Sequence, residues 1–176
     1  MRSIDEAVNV VFSDRDILPA DVPQLDLYMD QILSLFEYGL GGSKRNPADK
    51  LLTKTMVNNY VKEGLITPVR GKKYTRQQIM QLLCVYHLKQ TLHLGDIKAL
   101  TGRDDVDFEA CYNRLLAYKA RMRDAIPPLL HEHLPENTDD PNARLALCLA
   151  LSEVACYMRR LCESLIDAIP EQTGGK

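Results

Sequence analysis

The residue pattern predicts an all-α protein with a small β-wing. Three observations point there. Apolar residues recur at three- and four-residue spacing through most of the 176 residues. One glycine-centred basic stretch, Val69-Arg70-Gly71-Lys72-Lys73-Tyr74, interrupts that period between two helical segments that carry their own start signals. Positive charge collects around the interruption: Lys44 to Arg103 holds 12 Lys and Arg against 3 Asp and Glu, leaving 10 basic and 21 acidic residues for the rest of a chain whose net charge is only -2.

Taken in order, residues 1–22 show little periodicity and carry Ser13, Asp14, Asp16 and Pro19, which predicts a flexible leader. Pro23 suits a first helical turn, and Leu25, Tyr28, Met29, Ile32, Leu35 and Phe36 predict an amphipathic helix over 23–38, ended by Gly39, Gly41, Gly42 and Ser43. Asn46-Pro47 predicts a short helical piece to Leu52. Thr53 can cap a helix from Lys54 to Glu63, with Gly64 positioned to stop it. The stretch Val69–Tyr74 suits a hairpin or wing. Thr75 and Gln78 match a capping box, opening a helix to about Leu92, and a short helix from Gly95 to Leu100 stops at Gly102.

Phe108, Cys111, Tyr112, Leu115, Tyr118 and Met122 form one stripe that should end before Pro127-Pro128, with a loop from 127 to about 140. Asp140-Pro141 then opens the last helix. There Leu147, Leu151, Val154, Met158, Leu161, Leu165 and Ala168 recur at spacings of 4, 3, 4, 3, 4 and 3, a heptad seam. A second row, Leu145, Cys148, Ala155, Cys162, Ile166 and Ile169, lies off it. A helix apolar on so much of its circumference is covered on more than one side. One side can face its own domain and the other a second subunit; a central helix in a monomeric bundle is the alternative.

Composition excludes several classes. A hydrophobic share of 45% with 26% charged residues is that of a globular chain. No apolar run reaches the roughly 18–20 residues a membrane-spanning helix needs, and the first residues lack a signal peptide's apolar core, so a cytoplasmic location is expected. Five cysteines, with no C-x-x-C pair, fit reduced cytosolic thiols. No phosphate loop, G-x-S-x-G or HExxH is present, and neither an enzyme nor a bound cofactor is expected. His131-Glu132-His133 offers two ligands where a zinc site takes more. Cys84 and His87 share a helix face in an apolar stretch and read as core packing.

The candidate site lies in the basic segment. A helix, a glycine, a basic glycine-containing loop and a capped helix follow one another as in a winged helix-turn-helix, where one helix enters the major groove and the wing tracks the backbone or minor groove. In the 54–63 helix Met56, Val57 and Tyr60 can point inward, leaving Lys54, Thr55, Asn58, Asn59 and Lys62 outward. Asparagine pairs in bidentate fashion with an adenine edge, and lysine and threonine hold phosphates. Arg70, Lys72 and Lys73 would supply the wing, with Arg76 beside them. A solvated basic face with no ligand is the bland alternative.

The stretch Met56 to Pro68, ending Tyr60-Val61-Lys62-Glu63-Gly64-Leu65-Ile66-Thr67-Pro68, resembles the Tyr-x-x-x-Gly-Leu-Ile-x-Pro run of MerR-type regulators, and Leu94-Gly95-Asp96-Ile97-Lys98-Ala99-Leu100 resembles that family's Leu-x-x-Ile-Lys-x-Leu ending. Two features depart from it. Asn58-Asn59 stand where MerR-type proteins carry Arg-Tyr, and the connection from Gly39 to Thr53 is much longer. Pro23 to Gln31 together with Leu52 to Tyr60 is more similar to an uncharacterised bacterial family, domain of unknown function 1836. That resemblance implies a link to transcription through the MerR-like segment and no known activity.

The resulting expectation is a leader over 1–22, a MerR-like winged helix-turn-helix domain over 23–103 and a C-terminal helical domain over 104–176. The protein would be a homodimer, joined through those helices, that binds a two-fold symmetric site on double-stranded DNA. The helical tail leaves room for a small-molecule effector. A protein–protein adaptor that kept the fold and lost DNA is the rival reading.

Overall fold

The computed structural model describes residues 3–133 and 140–170. Among the described residues seven α-helices and two short strands follow in the order α1 (Ile4–Phe12), β1 (Leu27–Tyr28), α2 (Met29–Leu40), α3 (Lys54–Lys62), β2 (Lys73–Tyr74), α4 (Arg76–Leu88), α5 (Leu94–Thr101), α6 (Phe108–His133) and α7 (Pro141–Asp167), with single 3-10 turns at Pro19–Asp21 and Gly41–Ser43. The molecule is therefore mostly helical with one two-stranded antiparallel sheet, in which Leu27 pairs with Tyr74 and Tyr28 with Lys73.

The core forms around α4, whose Ile79, Met80, Leu82, Leu83, Val85 and Tyr86 are all buried. A helix apolar on every side needs neighbours on every side. Ile32, Phe36 and Leu40 of α2, Val57 and Tyr60 of α3, Ile97 of α5 and Phe108 and Tyr112 of α6 supply them. Phe36 meets Tyr86 edge to face, with ring centroids 5.6 Å apart. The core continues past residue 103, because α6 enters it through Phe108 and Tyr112.

Residues 3–22 are docked and not a flexible leader. Ser3 and Glu6 form a capping box at the start of α1. From there the segment runs antiparallel along α6. Asp5 Oδ1 lies 3.0 Å from His131 Nδ1. Asp14 and Asp16 form ion pairs with Lys119 and Arg123. Ile17 is 1% exposed, and its carbonyl accepts a 2.9 Å bond from the Tyr112 hydroxyl. The acidic residues that interrupt the apolar period are held by cations a hundred residues away, which local pattern does not reveal.

Other elements also differ from expectation. The first core helix begins at Met29, because Leu27 and Tyr28 are used as a strand. It continues through Gly39, which is the point where Ile17 crosses it. Asn46 does cap, its side chain accepting from the Ala48 N–H at 3.0 Å, but only one turn follows. Residues 47–50 are exposed and have no apolar face to sustain a helix. Lys73 and Tyr74 pair with β1 and not within a 69–74 hairpin. The helix after Thr75 ends at Leu88, short of Leu92. α6 runs through Pro127 and Pro128 to His133. Each proline forfeits one i→i−4 hydrogen bond, and on this exposed stretch water can serve the freed carbonyls. Part of the loop expected over 127–140, residues 134–139, lies outside the described residues, as do residues 171–176 of the C-terminal helical domain expected over 104–176.

α7 begins as the sequence suggests, with Asp140 accepting from the Asn142 and Ala143 N–H groups ahead of Pro141. It rests on α5 near its C-terminal end, and Ile166 is its one buried residue among those described.

Candidate nucleic-acid interface

Helix α3 is bounded by local hydrogen bonds. Thr53 Oγ1 accepts from the Met56 N–H at 3.1 Å. At the other end Gly64 adopts φ 74°, and the N–H groups of Leu65 and Gly64 donate to the carbonyls of Tyr60 and Val61 at 2.9 and 3.1 Å. This is a Schellman ending, and it needs a residue that tolerates the left-handed region. Val57 and Tyr60 are buried and fix the rotation of the helix. Lys54, Thr55, Asn58, Asn59 and Lys62 are consequently all exposed, as the helical period predicted.

Leu65 and Ile66, both buried, pin the chain as it leaves α3. Two glutamines of α4 then set the course of the loop. Gln81 Oε1 accepts from the Thr67 N–H and hydroxyl, each at 3.0 Å, and Gln78 Nε2 donates to the carbonyls of Thr67 and Pro68 at 3.1 and 3.0 Å. Gln78 also closes the Thr75 capping box. Past Pro68 the loop carries Arg70, Lys72 and Lys73, all exposed, and turns at Gly71, whose φ of 80° suits glycine. It is held at its far end by the Leu27–Tyr74 pair.

The start of α3 and the end of this loop meet at the N-terminus of α2. Lys54 Nζ lies 2.8 Å from Asp30 Oδ1 in the first turn of α2. Two residues earlier Tyr28 pairs with Lys73, whose ammonium sits 4.9 Å from the Tyr28 ring centroid. Lys54 and Lys73 thus belong to one edge of the molecule. Arg70, Lys72 and Lys62 take part in no ion pair among the described residues. Lys44, at the head of the basic segment, is tucked against Glu37.

Arg76 departs from the site predicted for it. Its guanidinium points into the fold, where Nε and Nη2 grip Glu109 at 3.1 and 2.7 Å and Nη2 reaches the Pro19 carbonyl at 2.9 Å. Nη1 donates to the Val22 carbonyl. Glu109 raises its pKa further above the usual arginine value. Arg76 ties the N-terminal segment and α6 to α4, and a guanidinium committed to four acceptors has little left for a phosphate.

Elsewhere Cys84 and His87 lie against the core, as their apolar surroundings suggested. Burial pushes the Cys84 thiol up to about 12 and holds the His87 imidazole below its ordinary value. Among the described residues no group of three or more His, Cys, Asp or Glu stands where it could hold a metal ion. No described helix is long and apolar enough to cross a membrane. The positioning residues that the sequence did not single out are Gln81, Tyr28 and Asp30. Gln81 left one trace, a polar residue between the apolar pairs Ile79-Met80 and Leu82-Leu83.

A family model described as Domain of unknown function (DUF1836) matches residues 17–114. That span begins at the buried Ile17 and ends within α6, enclosing α3, the basic loop and the helices that position them. No curated protein and no solved structure matches the chain.

Proposed function

The chain belongs to the DUF1836 family, and we propose that it is a sequence-specific DNA-binding transcriptional regulator built on a MerR-like winged helix-turn-helix. In this reading α3 enters the major groove, with Asn58 and Asn59 on base edges and Lys54, Thr55 and Lys62 on flanking phosphates. The loop carrying Arg70, Lys72 and Lys73 is the wing. The observation that carries the reading is the single exposed polar face of α3, bounded at both ends, beside a loop of exposed cations. The protein would act in the cytoplasm as a homodimer through its C-terminal helices, duplicating the basic surface over a two-fold symmetric site, with room in the helical tail for a small-molecule effector.

A protein–protein adaptor is the second reading. It is favoured by Asn58-Asn59 in place of an Arg-Tyr pair and by the prior engagement of Lys44 and Lys54 with acidic neighbours.

The test is fluorescence anisotropy on a random-sequence duplex pool at 50 and 200 mM salt, with sequencing of the bound fraction. Salt-sensitive binding that enriches a symmetric site is expected. Each lost phosphate contact lowers the log–log salt slope by about 0.9, so the Arg70→Ala, Lys72→Ala double variant should lose roughly 1.8. Asn58→Ala with Asn59→Ala should flatten sequence preference and leave the slope alone. An absence of binding at 50 mM salt would overturn the DNA-binding reading and leave the adaptor reading to be tested by a search for protein partners.

A further inference from the structure

Helix α7 has 27 residues, so it is about 40 Å long. Its heptad seam, Leu147, Leu151, Val154, Met158, Leu161 and Leu165, meets little of the chain's own core. Leu151 is 43% exposed, Val154 53%, Met158 56%, Leu161 55% and Leu165 66%. Ile166, which docks on α5, lies about 100° around the helix from the centre of that seam. Docking therefore leaves the seam free.

We propose that the seam is covered by α7 of a second copy, antiparallel and centred on residue 156. This rests on the homodimer part of the function proposed above and assigns it a surface and a register. Four features argue for it. From Leu147 to Leu165 the 4-3-4-3-4 spacing reads the same from either end, which an antiparallel two-fold pair of identical helices requires. In this register Leu147 meets Leu165 of the second copy, Leu151 meets Leu161 and Val154 meets Met158, so every large seam residue finds another.

The shoulders of the seam carry no charge to be buried or to repel: Cys148, Ala155 and Cys162 stand on one side, and Ala150, Tyr157 and Ser164 on the other. The area is adequate for a specific contact. In this register residues 145–167 overlap, about 35 Å of helix. Half the surface of a cylinder of that length and about 10 Å across is about 540 Å² per copy, or about 1,100 Å² in total, just above the roughly 1,000 Å² a specific interface should clear.

The fourth feature is the placement of the two bodies. Each body is attached at Ile166, ten residues from the centre, so antiparallel pairing sets the attachment points about 30 Å apart along the rod. Each body then has its own end of the rod. A parallel pair would place both attachment points at the same level.

The register brings Cys148 of each copy beside Cys162 of the other, with Ala155 facing its mate on the axis between the two thiol pairs. A parallel pair faces Cys148 with Ala143 and Cys162 with Tyr157 instead. Diamide is the probe. It takes up the two thiol hydrogens as each S–S bond forms.

The experiment uses the full chain. Light scattering after size exclusion should give twice the chain mass at micromolar concentration, and Leu161→Asp should halve it without changing the circular dichroism spectrum. Diamide should give a covalent dimer, reversed by dithiothreitol, whose mapped bridge is Cys148–Cys162. Cys148→Ser and Cys162→Ser should each lose that bridge, and an equimolar mixture of the two variants should regain it, because one complete pair re-forms. A dimer with no complementation, or with bridges joining like cysteines, overturns the register while leaving dimerisation intact. A monomer at 100 μM overturns the interface. Anisotropy on duplex DNA, run on the same samples, reports separately whether DNA binding stands.

Discussion

Replacing Arg76 by glutamine separates a cation that organises the fold from cations that are free to meet a polyanion. The guanidinium holds two backbone carbonyls, of Pro19 and Val22, besides its grip on Glu109. Glu109 remains open to solvent, so screening leaves that pair a minor contributor. The carbonyl bonds are different, since Val22 is only 2% exposed. Hydrogen bonds from a charged donor contribute about 1.5–3 kcal/mol each, and these sit at the low end because the arginine is itself partly exposed. A loss of about 2–3 kcal/mol is expected. With an m-value near 2 kcal/mol/M, the urea midpoint should fall by roughly 1–1.5 M at unchanged slope. Duplex binding at temperatures where the variant is folded should keep its salt slope. A midpoint shift below about 0.3 M, combined with a slope reduced by about 0.9, would refute the reasoning and return Arg76 to the exposed basic set.

Three further perturbations test the packing. Gly39→Ala places a methyl 2.3 Å from Ile17 Cγ1, and overpacking should outweigh the gain of about 1 kcal/mol in helix propensity; a net loss of about 1–2 kcal/mol is expected in urea melts, and a stabilised variant would count against the close approach. Tyr112→Phe leaves the Ile17 carbonyl without its hydroxyl donor and should cost about 1–2 kcal/mol, whereas a neutral result would mean water replaces it. His87 is held below its free value of 6.5 chiefly by burial and then by Lys119, against the opposing pull of Asp16 and Asp14. The unfolded chain therefore takes up the proton first, and the melting temperature should fall as pH drops below about 6.5. His87→Phe should flatten that fall, while the lowered Asp14 carboxyl acts only in the separate window below 3.8.

What was legible in the sequence is what a few consecutive residues decide. Thr53 and Gly64 bound α3, Thr75 with Gln78 starts α4, and Asp140-Pro141 starts α7, because each cap is made by groups two to five residues apart. The outward face of α3 was legible for the same reason, since Val57 and Tyr60 leave the helix one way to lie. Arg76 was misplaced because its partners stand 33, 54 and 57 positions away. Gly39 reads equally as a stop or as a point of close approach, and only the position of Ile17 decides between them. Lys73 and Tyr74 look like half of a hairpin until β1, far upstream, claims them. Pro127-Pro128 signals an end that α6 does not take, on a helix flanked by the docked N-terminal segment.

That docked segment bears on how the protein should be handled at the bench. Asp14 and Asp16 mask Lys119 and Arg123 on the face of α6. A shortened chain starting at residue 17, the first position of the family match, would uncover two cations that the intact molecule keeps neutralised. Such a fragment would cling to heparin, cation-exchange resin or bulk DNA through a surface unrelated to α3 and the basic loop. Affinities measured on it would overstate indiscriminate binding, and the intact N-terminus is the form on which selectivity should be judged.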